Sequence, residues 1–212
     1  MRITLSGYYG FGNAGDEAIL AASLAGLRRR LPDAEFVVLS GDPAATQAHH
    51  HVEAQPRWSL ASIWRSVRGA DLLLSGGGGL LQNSTSMLSL MYYLTVLKAA
   101  WFARTPYAIF AQGVGPLRGW LARRGAATWV RRAAAITVRD EASAELLQDI
   151  GIDAERIEVT ADPALTRFLA PPEQAHEILG GAGVPEDRPL LGLAVRQWKG
   201  QQTALEAMAD AA

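Results

Sequence analysis

Short apolar runs alternate along the chain with longer segments whose apolar residues recur at helical spacing. Each run is nearly continuous and ends in glycine or polar residues. Continuous apolar runs are typical of strands covered on both faces, as in a parallel sheet flanked by helices. The pattern therefore predicts an α/β fold. The six predicted strands are residues 3–6, 36–40, 72–75, 107–111, 135–138 and 157–160.

Two segments between these strands have clear helical features. In the first, Asp16 and Glu17 suit the positive end of a helix dipole, and Pro32 stops the helix. The second, residues 87–103, is strongly apolar but contains Lys98 and lies between two predicted strands. We interpret it as a buried helix and not as a membrane span.

The composition indicates a globular protein, because 49% of the residues are hydrophobic and 19% are charged. A net charge of -1 provides no basic field for nucleic acid, so no nucleic-acid partner is predicted. The lack of cysteine excludes disulfides and thiolate chemistry and is consistent with a cytoplasmic location. We expect the adjacent His49, His50 and His51 to lie in a solvated loop, and we predict no metal site.

A glycine-rich loop follows the first predicted strand and leads into the first helix. Gly10, Gly12 and Gly15 satisfy the dinucleotide-binding pattern, and an anion could bind at the helix N-terminus. Asp42 could then serve as the ribose-binding acid of a nicotinamide site, but Asp16 and its acidic neighbour would repel a pyrophosphate. A tight turn without any ligand is the other interpretation.

Groups with binding chemistry follow the later strands as well. Arg139 suits a ligand role or a surface salt bridge, and Asp162 suits a ligand role or a helix cap. The carboxyl ends of parallel strands meet at one edge, so we predict a binding cleft there. The other candidates at this edge are Gly76, Gly77, Gly78 and Gly79 after the third predicted strand, and Gln112 and Gly113 after the fourth.

Prolines and glycines accumulate toward the end of the chain, which is typical of a linker. We predict a first domain over residues 1–169, a linker over 170–189 and the start of a second domain over 190–212. A strand over residues 190–195 and a helix over 202–211 cannot bury a core alone. We therefore expect the second domain to be incomplete.

Six motifs occur in one order and spacing: SGYYGFGNAGDEAIL, LLLSGGGGLLQ, AQGVGP, TVRDEAS, ADPA and VRQW. Together they resemble CsaB-type polysaccharide pyruvyl transferases over essentially the whole chain. The resemblance implies two Rossmann-like domains in a GT-B-like arrangement, of which this chain supplies the N-terminal half, with phosphoenolpyruvate as donor substrate and no cofactor. It favours this activity over a nicotinamide enzyme.

The resemblance also implies an acceptor, a location and the roles of several residues. The acceptor would be an N-acetylmannosamine-containing, lipid-linked or nucleotide-linked precursor of a cell wall polymer that anchors the surface layer. The enzyme would work in the cytoplasm, and a homo-oligomer is left open. Arg123, Arg124, Arg131 and Arg132 suit a solvated face or, as the alternative, contact with anionic lipid headgroups at the inner membrane face. Arg139 would be essential for donor binding, Arg196 would assist it, and the cleft would be lined by Tyr9, Phe11, Asn13 and Asp16.

The family's catalytic histidine lies downstream of the matching residues. None of His49, His50, His51 or His176 occupies its place, so we expect the 212-residue chain alone to be inactive. Two alternatives stay open: a glycosyltransferase of the same fold that uses a nucleotide sugar, and a non-catalytic module that binds one.

Overall fold

The structure is a computed structural model that describes residues 1–84, 86–166, 172–185, 189–190 and 192. The chain divides into two units, Met1–Arg167 and Phe168–Ala212. Within the second unit, the helix α7 spans Pro172–Gly181 and contains His176. The predicted strand and helix after residue 190 lie outside the described residues, apart from 190 and 192, and the domain assignment stays a prediction.

The first unit is built on a sheet of seven parallel strands in the order β3-β2-β1-β4-β5-β6-β7. From β1 the chain adds β2 and β3 on one side. It then crosses to the other side of β1, where β4, β5, β6 and β7 follow in order. The predicted α/β class is confirmed. The strands are β1 (Arg2–Ser6), β2 (Glu35–Ser40), β3 (Glu53–Pro56), β4 (Leu72–Gly76), β5 (Tyr107–Gln112), β6 (Ala135–Val138) and β7 (Ile157–Val159).

Helices cover both faces of this sheet. One core cluster packs α1 against β1 and β2, and a larger cluster packs four later helices against the other face. Apolar side chains from both faces of each inner strand are thereby buried, which explains the continuous apolar runs. The helices are α1 (Ala14–Arg30), α2 (Pro43–His50), α3 (Leu60–Arg68), α4 (Met87–Ala103), α5 (Trp120–Val130) and α6 (Glu141–Asp149).

Polar side chains at the N-caps set where several helices begin. Asn13 accepts a hydrogen bond from the Gly15 amide at 3.1 Å, and Asp140 accepts one from the Ser143 amide at 2.8 Å. Each cap satisfies a backbone donor that has no partner within the helix. α1 ends at its C-cap Leu31, immediately before Pro32, as predicted.

The structure corrects the sequence interpretation at three places. The strand β3 was not predicted, because its sequence EAQP has no apolar run and lies at the sheet edge. His49 and His50 end α2 and are not in a loop. The segment Met87–Ala103 is a helix, but only one side is buried, since Leu88 is 81% exposed. No helix among the described residues is long and apolar enough to cross a membrane.

Candidate functional site

The candidate site lies at the carboxyl edge of the sheet, where every strand of the first unit ends. The direction of the connections changes between β1 and β4, and α/β sheets bind ligands at such a switch point. The loops after β1, β4, β5, β6 and β7 therefore meet along one edge. The predicted convergence of the candidate groups follows from this parallel arrangement.

The loop after β1 is fastened to the start of α1 and to α2. Glu17 accepts a hydrogen bond from the Gly10 amide at 2.8 Å, and its second carboxylate oxygen lies 2.8 Å from Nε2 of His50. Glu17 therefore holds the loop in place, and His50 is half-buried against it. The expectation of a solvated histidine is wrong for His50. Asp42 caps α2 by accepting from the Ala45 amide at 3.0 Å.

Tyr9 is buried beneath the glycine run and does not line an open surface. Its side chain is 2% exposed, and its hydroxyl donates to the Gly76 carbonyl at 2.8 Å. Burial raises the pKa of the Tyr9 phenol well above its ordinary value, so the hydroxyl remains a donor. Tyr9 therefore supports the glycine run from beneath, and its contact with substrate stays a prediction. By contrast, Phe11 is 38% exposed and Asn13 is half-buried at the helix start.

The glycine run after β4 is tightly packed and is not a flexible linker. Gly77 and Gly78 have φ values of +79° and +82°, which non-glycine residues rarely adopt. A Cβ on Gly78 would lie 2.8 Å from a carboxylate oxygen of Asp16, so that acid faces the run. Gly76 to Gly78 are buried, whereas Gly79 is exposed. The predicted close approach to the backbone is therefore made in part by the protein's own side chains.

The end of β5 carries an unusual buried amide. Gln112 is 0% exposed, and neither its Oε1 nor its Nε2 has a hydrogen-bond partner among the described residues. The pairing with β6 is irregular just before it, and Ala111 has a φ of +43°, a strained value for a residue with a side chain. Unsatisfied buried amides and local strain are both concentrated at functional sites.

Arg139 lies at the same edge, at the end of β6. Its Nη1 donates to Asp162 at 3.0 Å, and its Nε lies 3.4 Å from Asp140. A Cβ on Gly113 would lie 2.8 Å from the Arg139 Nε, so the guanidinium covers that glycine. Hydrogen bonds from the Ser143 hydroxyl and amide hold the pKa of Asp140 below its usual range. Arg139 is therefore ion-paired but partly exposed, and Asp162 both orients it and accepts from the Ala164 amide.

A buried arginine among aromatic rings is the feature that the sequence analysis missed. Arg57 follows β3, is 3% exposed and makes no ion pair with a carboxylate in the part of the chain that the structure describes. Its guanidinium donates to the Gly7 carbonyl at 2.9 Å. It also lies 4.1–5.9 Å from the ring centroids of Tyr92, Phe11, Trp58, Tyr93 and Tyr8.

Cation–π contacts replace a carboxylate partner for this arginine. Burial raises the pKa of Tyr92 to about 12, although the nearby Arg57 acts in the opposite direction. The cluster fixes the two exposed rings of the β1 loop, Tyr8 and Phe11, which are stacked with their centroids 4.3 Å apart. In the sequence Arg57 belongs to no motif and no hydrophobic pattern, so nothing there indicated its role. The five rings come together around it only in the folded protein.

Two further predictions can be placed only in part. Arg196 lies outside the described residues, so its position relative to the other candidates stays a prediction. Among the described residues, no cluster of three or more histidine, aspartate or glutamate side chains could hold a metal ion.

Comparison with known proteins identifies one family in sequence. The sequence model of the polysaccharide pyruvyl transferase family matches residues 13–208. This range begins at Asn13, the last residue of the β1 loop, and contains the glycine run, Arg139 and Asp162. No curated protein matches the chain in sequence.

Solved structures show the same fold at low sequence identity. Anabaena Alr3699/HepE in complex with UDP-glucose is 17% identical, with a TM-score of 0.62, and the match covers 99% of this chain and 57% of that one. The complex of the same protein with UDP and glucose is 18% identical, with a TM-score of 0.61, and the match covers 99% of this chain and 58% of that one. A putative UDP-N-acetylglucosamine 2-epimerase from Listeria monocytogenes is 11% identical, with a TM-score of 0.51, and the match covers 82% of this chain and 50% of that one. The chain thus spans less than two thirds of these proteins, and the likeness confirms the predicted Rossmann-like, GT-B-like fold class.

Proposed function

We propose, because this chain belongs to the polysaccharide pyruvyl transferase family, that it supplies the donor-binding half of an enzyme that transfers a pyruvyl group from phosphoenolpyruvate to a sugar as a ketal. The observation that carries the proposal is the guanidinium of Arg139 at the carboxyl edge of the sheet. Its two ion pairs fix its orientation while it remains partly exposed. A planar guanidinium held in this way suits the carboxylate or phosphate of the donor.

The chemistry of the transfer sets what the site must do. A proton is added to the methylene carbon of phosphoenolpyruvate, and a sugar hydroxyl bonds to the adjacent carbon. A second hydroxyl of the sugar then displaces phosphate from that carbon and closes the ketal. The donor carries three ionisable oxygens, so it needs cations and amide donors around it. In the proposal Arg139 and Arg196 supply cations. The Gln112 amide lies at the same sheet edge but is fully buried, so it donates to phosphoenolpyruvate only if donor binding uncovers it.

The ion pairs of Arg139 also limit its contribution. Asp140 and Asp162 neutralise much of its charge, so Arg139 acts by directed hydrogen bonds more than by long-range attraction. Asp162 belongs to the proposal as the residue that holds this orientation. Glycine amides and a second cation then complete the anion site. The proposal requires no metal and no cofactor.

The remaining family features are proposed with this activity. The acceptor is an amino sugar, such as N-acetylmannosamine, on a lipid-linked or nucleotide-linked precursor of a cell wall polymer that anchors the surface layer. The solved Anabaena protein binds UDP-glucose, which supports a sugar-linked acceptor for this fold. The exposed Phe11 and the half-buried Asn13 line the acceptor side of the crevice. The proposed location is the cytoplasm, against the inner face of the membrane.

Donor binding is the direct test, because it does not require turnover. We expect phosphoenolpyruvate to raise the melting temperature of the wild-type chain, and Arg139→Gln to weaken its binding by about 10- to 100-fold. Arg2→Gln is the matched control. Arg2 has the same 35% side-chain exposure and two carboxylate partners, but it lies at the opposite edge of the sheet. Equal binding to wild type and Arg139→Gln would contradict the proposal.

A glycosyltransferase is the second candidate, favoured by the nucleotide-sugar complex of the solved structure. The mass of the product separates the two activities, since a ketal adds the pyruvyl group without adding a sugar. Stabilisation by a nucleotide sugar, with no turnover of either donor, would instead indicate a binding module.

A further inference from the structure

Charge is distributed very unevenly along this nearly neutral chain. Between residues 54 and 134 lie ten of the 20 lysine and arginine residues but one of the 21 acidic residues, Asp71. This stretch contains α3, α4 and α5, and none of these three helices has an acidic side chain. The remaining residues are correspondingly acidic. A net charge of -1 therefore conceals two regions of opposite charge.

The same three helices lie together on one face of the sheet. Buried residues of α3, α4 and α5 belong to a single core cluster, whereas α1 belongs to the cluster of the opposite face. We call the outer surface of α3, α4 and α5 the basic–apolar face. It is bordered by α6, which carries Glu141, Glu145 and Asp149. Its exposed cations, with those of the adjoining turns, are Arg65, Arg68, Lys98, Arg104, Arg118, Arg124, Arg131 and Arg132.

Large apolar side chains are exposed between these cations. The helices α1 and α2, by contrast, have no exposed large hydrophobic residue. Large apolar groups are exposed elsewhere too, for example Tyr8 and Phe11 beside the candidate site and Ile178 of α7, but half of the 18 among the described residues lie on this one face. The nine exposed apolar residues of the basic–apolar face are Leu60, Trp64, Met87, Leu88, Met91, Trp101, Phe102, Trp120 and Leu121.

A groove of about 650 Å³ at the end of α4 combines both kinds of group. Trp101 and Phe102 line it together with Arg104 and Arg132, and no acidic residue lines it. The guanidinium of Arg132 lies 5.6 Å from the Trp101 ring centroid, which holds the two side chains together. Guanidinium groups beside aromatic rings suit an anionic headgroup joined to an apolar chain.

We infer that the basic–apolar face docks on a bilayer surface that contains anionic phospholipid. A second copy of this chain is a poorer occupant, because an isologous contact would place like charges against each other without a carboxylate between them. Nucleic acid would satisfy the cations but would leave nine large apolar side chains without a partner. Interfacial tryptophan and phenylalanine with flanking cations is the combination that peripheral membrane proteins use.

This docking rests on the membrane location proposed above and assigns it to one face, but its test requires neither donor nor acceptor. The helices run alongside the strands, so a bilayer against this face leaves the carboxyl edge of the sheet open to one side. A lipid-linked sugar in the same bilayer could then reach the crevice without leaving the membrane.

Vesicle co-sedimentation of the full 212-residue chain tests the inference without any donor or acceptor present. We expect binding to phosphatidylcholine vesicles that contain 30% phosphatidylglycerol, weak binding to phosphatidylcholine alone, and loss of binding as salt is raised. The double variant Lys98→Gln/Arg124→Gln should weaken binding by about 30-fold, since each cation near an anionic surface contributes about fivefold. Arg29→Gln/Arg30→Gln is the matched control, because it removes two charges from α1.

The apolar contribution has its own variant. Leu88 and Met91 are 81% and 52% exposed, so Leu88→Gln/Met91→Gln should leave the fold intact and still reduce vesicle binding. Absence of binding to anionic vesicles would overturn the inference. So would self-association through this face without vesicle binding, or binding to a duplex oligonucleotide that Leu88→Gln/Met91→Gln leaves unchanged.

Discussion

Arg57 shows how one residue can organise a surface without facing solvent. It is buried with five aromatic rings around it, and its hydrogen bonds join the start of the β1 loop to α4 through the Gly7 carbonyl and, at 3.3 Å, the Tyr93 hydroxyl. The charge of the guanidinium is delocalised over a planar group, and the π-faces of the rings partly replace its hydration. The stacked Tyr8 and Phe11 consequently have a fixed position beside the candidate site.

Replacement of this arginine should therefore destabilise the protein. We expect Arg57→Met to lower the free energy of unfolding by about 2–4 kcal/mol, because the Gly7 carbonyl and the Tyr93 hydroxyl lose their partner and the cation–π contacts disappear. Urea unfolding measures this change. Arg68→Met, at an exposed arginine of α3, is the control and should change stability by less than about 0.5 kcal/mol. Unchanged stability of Arg57→Met would mean that desolvation of the charge costs as much as its contacts return.

At the scale of secondary structure, caps and loops position the site more than the strands themselves do. Asp140 is an example, since it begins α6 and also lies beside Arg139. Its carboxylate accepts from both the amide and the hydroxyl of Ser143, at 2.8 and 2.6 Å. The cap therefore fixes the end of β6, the beginning of α6 and one partner of the candidate donor-binding residue together.

Loss of this cap should be measurable and pH-dependent. Asp140→Ala should lower the free energy of unfolding by about 1 kcal/mol at neutral pH, whereas Asp140→Asn should retain most of the cap. The pKa of Asp140 is lowered in the folded state, so its stabilising contribution is complete above its unfolded pKa and is lost as the pH falls below that value. The free energies of unfolding of the wild type and Asp140→Ala, measured between pH 7 and pH 3, test this. A difference that stays constant down to pH 3 would contradict the assignment.

At the scale of the whole molecule, the separation of charge matters more than the net charge. The carboxyl edge of the sheet has glycines, amides and ion-paired groups, while the basic–apolar face has cations with no acid among them. The two surfaces are distinct, since one contains the carboxyl ends of the strands and the other consists of helices that cover one face of the sheet. The molecule can therefore present its crevice and a charged face to different partners.

The charge separation predicts chromatographic behaviour that the net charge does not. We expect the chain to be retained on a cation-exchange column at pH 7.5, although its formal net charge is -1. Lys98→Gln/Arg124→Gln should elute at clearly lower salt than Arg29→Gln/Arg30→Gln, although both variants lose two charges. Co-elution of the two variants would show that the basic–apolar face does not act as one surface.

The sequence alone was sufficient for the elements whose signal is local. Apolar runs located six of the seven strands. Five are inner strands, which need apolar residues on both faces, and the sixth is the edge strand Ile157–Val159. The helix at Met87–Ala103 was predicted with its observed bounds. The edge strand Glu53–Pro56 was not predicted, because backbone hydrogen bonds to one neighbour hold it and its sequence has no apolar run.

What the sequence determined is the order of the elements, the parallel sheet and the groups at its carboxyl edge, since periodicity and turn residues act over a few positions. Only the tertiary structure decided the environment of each group. It buried Tyr9 under the glycine run, left Gln112 without a partner in the described part of the chain and paired Arg139 with Asp162, which is 23 positions away. It also gathered five rings around Arg57 and three acid-free helices on one face. Burial and pairing depend on which distant segments meet, and local patterns do not contain that information.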